Sequence, residues 1–98
     1  MVKREREVME IICSELYEKQ LKEILEPLIK EDISFAKKFK MYLDTIIINI
    51  PTKVAKYKKS IYFDDENIKD LEYENYKVVF CVENGNKRFI ILGIVQNS

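Results

Sequence analysis

Apolar positions along this 98-residue chain change their period once. Up to Pro51 they recur mostly three and four residues apart, as on a helix; beyond it they alternate or run on, as in strands. A short exception comes first. Val8 to Ser14 is too brief and too rich in β-branched residues for a helix and predicts a strand, with a helix running from Glu5 as the rival reading. From about Glu15, Leu16, Leu21, Ile24, Leu25, Leu28 and Ile29 form one helical stripe. Pro27 lies within it and should kink the helix or end its regular part, because it lacks an N–H and clashes with the carbonyl four residues back. Asp32 or Ser34 can cap a second helix, whose stripe is Phe35, Ala36, Phe39, Leu43, Ile46, Ile47 and Ile50, closed by Pro51. The short connection predicts an antiparallel helical hairpin.

After Pro51 comes a basic segment, then Ile61-Tyr62-Phe63, then an acidic turn at Asp64-Asp65-Glu66-Asn67. Ile68 to Tyr73 alternates like an exposed edge strand. Tyr76 to Val82 and Lys87 to Val95 are apolar on both faces and suit central strands. Asn84-Gly85 between them is a strong hairpin signal, and Glu74-Asn75 is a tighter one, with Asn75 the residue suited to a left-handed backbone. The order β-α-α-β-β-β groups helices and strands separately. That predicts an α+β fold with the hairpin packed on a small, mainly antiparallel sheet, in one domain over residues 1–98.

Composition narrows the chemistry. An apolar fraction of 47% with 11% aromatics excludes a disordered chain. The absence of histidine removes Ser-His-Asp and Cys-His catalysis and His-ligated metal sites. No metal, cofactor or catalytic residue is expected. Cys13 and Cys81 each fall in a run that reads as a buried strand and are expected as reduced thiols; no base is at hand to activate Cys81. No secretory signal or membrane-length apolar run is visible, so the expectation is a cytoplasmic protein without a membrane partner.

Seventeen basic and seventeen acidic residues give a net charge of zero, which argues against a whole-molecule nucleic-acid binder. The zero conceals blocks. Residues 1–36 carry six positive and nine negative charges, residues 37–63 seven and one, residues 64–75 one and six, and residues 76–98 three and one. The resulting balances are −3, +6, −5 and +2. The basic block holds Lys37, Lys38, Lys40, Lys53, Lys56, Lys58 and Lys59. Such runs usually serve solubility, but Tyr57 and Tyr62 interleave with the lysines as in a stacking and phosphate-contact surface. The residues singled out for contact with a target or a nucleic acid are Lys56, Lys58, Lys59, Lys77 and Arg88. Tyr57, Tyr62, Tyr73 and Tyr76 are expected to pack their rings on the sheet with hydroxyls in water.

The stretch KKSIYFDDENIKDLEYENYKVVF, Lys58 to Phe80, resembles a recurring block of the RelE/ParE superfamily, the toxins of type II toxin–antitoxin systems. Tyr17 to Phe39 resembles that family's first helix and the start of its second, and Ile90 to Ile94 its last strand. The resemblance implies a small bacterial growth-inhibiting toxin of the kind linked to plasmid stabilisation. It would be neutralised by a cognate antitoxin whose extended or helical segment wraps it. One branch, RelE-like, cleaves messenger RNA on the ribosome with basic residues on the sheet. The other, ParE-like, acts by binding, with DNA gyrase as target.

The residues favour the second branch. The two strand lysines of the cleaving branch fall here on Ile68 and Asp70; an isoleucine carries no charge and an aspartate repels phosphate. The branch's Tyr-Arg pair is Tyr76-Lys77, which keeps the charge but not the bidentate fork. Its basic residue and tyrosine beyond the last strand have no counterpart in Val95-Gln96-Asn97-Ser98. Enzymatic activity is therefore not expected, and ribosome or mRNA is the lesser partner. Two alternatives stand beside the ParE-like reading: an mRNA interferase with an altered site, and an inactive remnant that still binds an antitoxin.

Overall fold

The computed structural model describes residues 9–97. Its elements are β1 (Glu10–Cys13), α1 (Glu15–Glu31), α2 (Ile33–Ile48), a single helical turn α3 (Ile50–Lys53), a 3-10 turn (Val54–Lys56), β2 (Lys58–Lys59), β3 (Ile68–Tyr73), β4 (Tyr76–Glu83) and β5 (Arg88–Gln96). The five strands form one sheet in the order β1-β5-β4-β3-β2. Only the β1–β5 pair is parallel. The α+β architecture and the β-α-α-β-β-β order are as expected, with α3 and the two-residue β2 added.

The helices cover one face of the sheet. Tyr17 and Leu21 of α1, Phe39, Leu43 and Ile47 of α2, and Ile50 of α3 meet Leu71, Val78, Phe80, Val82, Phe89, Ile91 and Ile94 in a single core. The inward stripe of α1 is Tyr17, Leu21, Ile24, Leu25 and Leu28, so four of the six expected residues lie on it and Tyr17 joins them. Leu16 and Ile29 are exposed instead, because Ser14 caps the helix and sets its phase. The Tyr17 N–H donates to Ser14 Oγ at 3.0 Å. Ser14 also donates to the Leu92 carbonyl at 2.9 Å, and the Ile94 N–H donates to Gln20 Oε1 at 2.8 Å. Beyond the end of β1, α1 thus satisfies the backbone groups that β5 would otherwise leave open. These bonds fall where the β4–β5 register shifts, pairing Val79 with Gly93 and Phe80 with Ile91 so that Leu92 is the extra residue.

Several expectations require correction. Pro27 does not end α1, which runs on to Glu31; Pro27 and Glu23 are both exposed, so the carbonyl deprived of its partner can turn to water. Pro51 does not close α2. That helix stops at Ile48, and Pro51 opens α3 in the first turn, where a missing N–H costs nothing. Asp32 is the cap of α2, accepting from the Phe35 N–H at 3.1 Å. Phe35 itself is 51% exposed. The left-handed residue in the β3–β4 turn is Glu74, φ 55°, not Asn75. The expected β4–β5 turn is present, with Asn84, Gly85 and Asn86 all at positive φ. Strand β3 is flanked on its outer side by β2 for two residues only, and its Leu71 and Tyr73 are buried. Cys13 lies on a strand but is exposed, and Cys81 is half-buried; both are free thiols. Tyr73 does not keep its hydroxyl in water, donating instead to the Phe39 carbonyl at 2.8 Å.

The Tyr17 hydroxyl is buried with no hydrogen-bond partner among the described residues. Tyr17→Phe removes that unsatisfied group and is expected to raise stability by about 1 kcal/mol. Burial pushes the Tyr17, Tyr57 and Tyr73 phenols and the Cys13 and Cys81 thiols up from their ordinary values of 10.0 and 9.0. As pH rises past these values the unfolded chain releases its protons first. The contribution of these groups to stability is therefore complete below pH 9.0 and is lost through the alkaline range. Urea midpoints at pH about 8 and about 10.5 test this: the wild type should lose stability over that interval and Tyr17→Phe should lose less. A destabilised Tyr17→Phe would contradict the assignment.

Candidate functional site: a charged cleft on the open face of the sheet

The face of the sheet turned away from the helices is built by register. One row runs Lys58, Asp70, Val79, Gly93 across β2, β3, β4 and β5, and the next runs Glu72, Lys77, Val95. The loop from Ser60 to Asn67 crosses this face. Asp70 Oδ2 accepts from the Ile61 N–H at 3.1 Å, and Ser60, nearly buried, accepts from the Tyr62 N–H at 3.0 Å. Asp65 accepts from the Asn67 N–H at 2.8 Å, so the acidic run does form a turn. Lys59 is tied to Asp64 at 2.8 Å.

Between this loop and β2–β4 opens a cleft of about 380 Å³. Lys56, Lys58, Lys59 and Lys77 all line it, with Asp70 and Glu72 among them. Four of the five residues singled out from the sequence thus converge. Arg88 does not; it stands at the start of β5 near Glu10 and Glu83, 4.0 and 3.9 Å away. Sequence reasoning missed Asp70 as a positioning group, because it meets Lys58 and the crossing loop only once the strands are aligned. One of its oxygens holds the loop; the other is buried without a partner among the described residues. Lys69, on the other side of the strand, donates to the Tyr57 carbonyl at 3.3 Å. The Tyr57 ring stands edge-on to Phe80, centroids 5.6 Å apart, so the segment that carries Lys56, Lys58 and Lys59 rests on the core.

The electrostatics are mixed. Lys58 lies opposite Asp70 and Lys77 opposite Glu72. A phosphodiester entering the cleft meets two carboxylates as well as the ammonium groups, which cancels much of the attraction that RNA binding uses. No group of three or more metal-ligating side chains occurs among the described residues. Cys81 lies on this face near Glu83 and Asp65; burial first, then these carboxylates, push its thiol up, away from nucleophilic use.

A second concavity, of about 520 Å³, lies on the outer side of the helical hairpin. Leu25 and Ile29 of α1 and Ile33, Ala36 and Met41 of α2 line it, with Lys37 and Lys40 on its rim. Ile29, Ile33 and Met41 are 46%, 57% and 54% exposed. An apolar surface of this kind on a small domain marks an interaction site. No helix among the described residues is long and apolar enough to cross a membrane.

No family model matches the sequence. No curated protein matches it either. Solved structures do. A chain of the structure described as "Chromosomal ParDE TA system from P. aeruginosa" superposes with a TM-score of 0.72 at 14% identity, covering 95% of this chain and 100% of that one. A chain of the toxin–antitoxin complex RelBE2 from Mycobacterium tuberculosis superposes with a TM-score of 0.56 at 8% identity, covering 92% and 99%. These likenesses, together with the helical hairpin on a five-stranded sheet, show that the chain has the RelE/ParE-like fold.

Proposed function

We propose that this chain is the toxin of a type II toxin–antitoxin pair and works in the ParE-like way. It arrests growth by docking on an essential target, with DNA gyrase the first candidate, and a cognate antitoxin holds it inactive. The observation that carries the binding mechanism is the floor of the cleft. Asp70 and Glu72 face Lys58 and Lys77 across the strands, and Asp70 occupies a position where the cleaving branch of the family carries a lysine. Its carboxylate also accepts from the backbone of the crossing loop, so it has a structural use there. The antitoxin partner is supported by the toxin–antitoxin descriptions of both similar structures. The apolar groove of the hairpin is the surface that such a partner's helical or extended segment would cover.

One observation favours a second reading, an mRNA interferase with an altered site: Lys56, Lys58, Lys59 and Lys77 do meet in one cleft. Under that reading Lys77→Ala should abolish toxicity on induction. Under the binding reading neither the wild type nor Lys77→Ala should cut ribosome-bound mRNA. Supercoiling by purified gyrase, inhibited by the wild-type chain, tests the target; unaffected supercoiling sends the search to another protein. The inactive-remnant reading predicts no growth arrest at all.

A further inference from the structure

Beside the charged cleft, the crossing loop encloses a smaller and different space. Ile61 faces the cleft, whereas Tyr62 and Phe63 face the other way. They form one wall of a slot of about 250 Å³, with Leu16 of α1 as the opposite wall and Val79, Leu92 and Val95 as the floor. Almost no polar surface lines it. Val79 is 5% exposed yet takes no part in the core beneath the helices; the loop covers it. Tyr62, Phe63 and Leu16 stay 47%, 46% and 56% exposed, so the walls are half open to solvent.

Lys77 links the slot to the cleft. It shares the open face with Val79, two residues along β4, and lies opposite Val95. Lys56, Lys58 and Lys77 make no ion pair among the described residues, whereas Lys59 is held by Asp64. Lys77 is therefore the ammonium group at the edge of the slot, with Lys56 and Lys58 farther along the cleft. We propose that this slot and its lysines form a second docking site, which takes a protein segment presenting one large apolar side chain flanked by carboxylates.

The volume is that of a single large side chain, the usual size of an anchor pocket at an interface centre. A nucleobase fits it less well than an apolar side chain, because almost all of the exposed lining is apolar and Gln20 already spends its carbonyl on the Ile94 N–H. Lys77, the cation nearest the slot, favours a carboxylate over a lysine directly beside the anchor and adds to encounter rate more than to affinity. The site lies on the opposite face from the hairpin groove and leaves it free. It deepens the binding-toxin reading by naming the chemistry of the target's contact, and it rests on that reading only for what the target is.

The test uses the full chain and methyl and amide NMR spectra, titrated with the peptide acetyl-Glu-Asp-Trp-Glu-Asp-amide. A lysine-substituted counterpart and a short oligouridylate serve as the other arms. The expected result is saturable shifts of the Val79, Leu92 and Val95 methyls with the acidic peptide. Phe63→Ala, at an exposed position, should weaken this roughly tenfold without altering the fold. Lys58→Glu with Lys77→Glu should transfer the preference to the basic peptide. Shifts confined to the hairpin, equal response to both peptides, or stronger response to the oligouridylate would each overturn the proposal. Peptide binding in a chain that fails to arrest growth would uphold the slot and remove only the toxin reading. Growth arrest in a chain whose slot methyls ignore the peptide would do the reverse.

Discussion

Phe80→Ala is expected to cost about 3–5 kcal/mol of folding stability, enough to leave a domain of this size partly unfolded. Phe80 is fully buried in the central stretch of β4. Its loss opens a cavity that the neighbouring strands cannot close, since β3 and β5 hold β4 on both sides. The effect should reach the open face as well. Tyr57 leans edge-on against this ring, and its carbonyl receives Lys69, so the segment bearing Lys56 and Lys58 loses its footing. Urea denaturation measures the first effect, and amide exchange at residues 56–59 the second. Phe35→Ala is the comparison. That ring is 51% exposed despite its place in the helical period and touches the core through Phe39, so its removal should cost about 1 kcal/mol.

Met41→Glu should uncouple the chain from the proposed antitoxin while leaving the fold intact. Met41 is 54% exposed on the wall of the hairpin groove, so the free protein tolerates a carboxylate there. A partner segment lying in the groove would desolvate that charge, a cost that Lys37, one turn back on the rim, offsets only in part. Lys40 is no remedy, because it is already paired with Asp44 at 2.6 Å. Affinity should fall by roughly a hundredfold or more. In cells the variant should arrest growth even with the antitoxin present. Unchanged rescue would show that the groove is not the antitoxin surface.

Where the chain was readable and where it was not follows from which forces act locally. The change of period at Pro51 and the Asn84-Gly85 turn are local signals, and the architecture follows from them. The phase of α1 is not local. Leu16 and Tyr17 are adjacent and both fit an apolar stripe; what turns Tyr17 inward is Ser14, which caps the helix and binds Leu92 from a strand 78 residues away. Both prolines misled for one reason: their effect depends on the turn of helix they occupy and on whether the freed carbonyl meets water. Glu74 takes the strained turn position although Asn75 is the better left-handed residue, because Tyr73–Tyr76 pairing fixes the register. In the site, the lysines were legible as a dense run. Their carboxylate partners were not, since Asp70 and Glu72 become cross-strand neighbours only once β2, β3 and β4 are laid side by side. The slot beside them depends on a loop folding back over the sheet, which no periodicity announces.

Growth after tightly controlled induction in a bacterial host, followed with and without co-expression of a small protein encoded beside this chain and with ribosome-bound mRNA mapped in the same cultures, tests the central claim most directly. The expected result is arrest by this chain alone, recovery when the neighbour is co-expressed, and intact mRNA in both. Unimpeded growth, or arrest accompanied by cleavage of ribosome-bound mRNA, would contradict it.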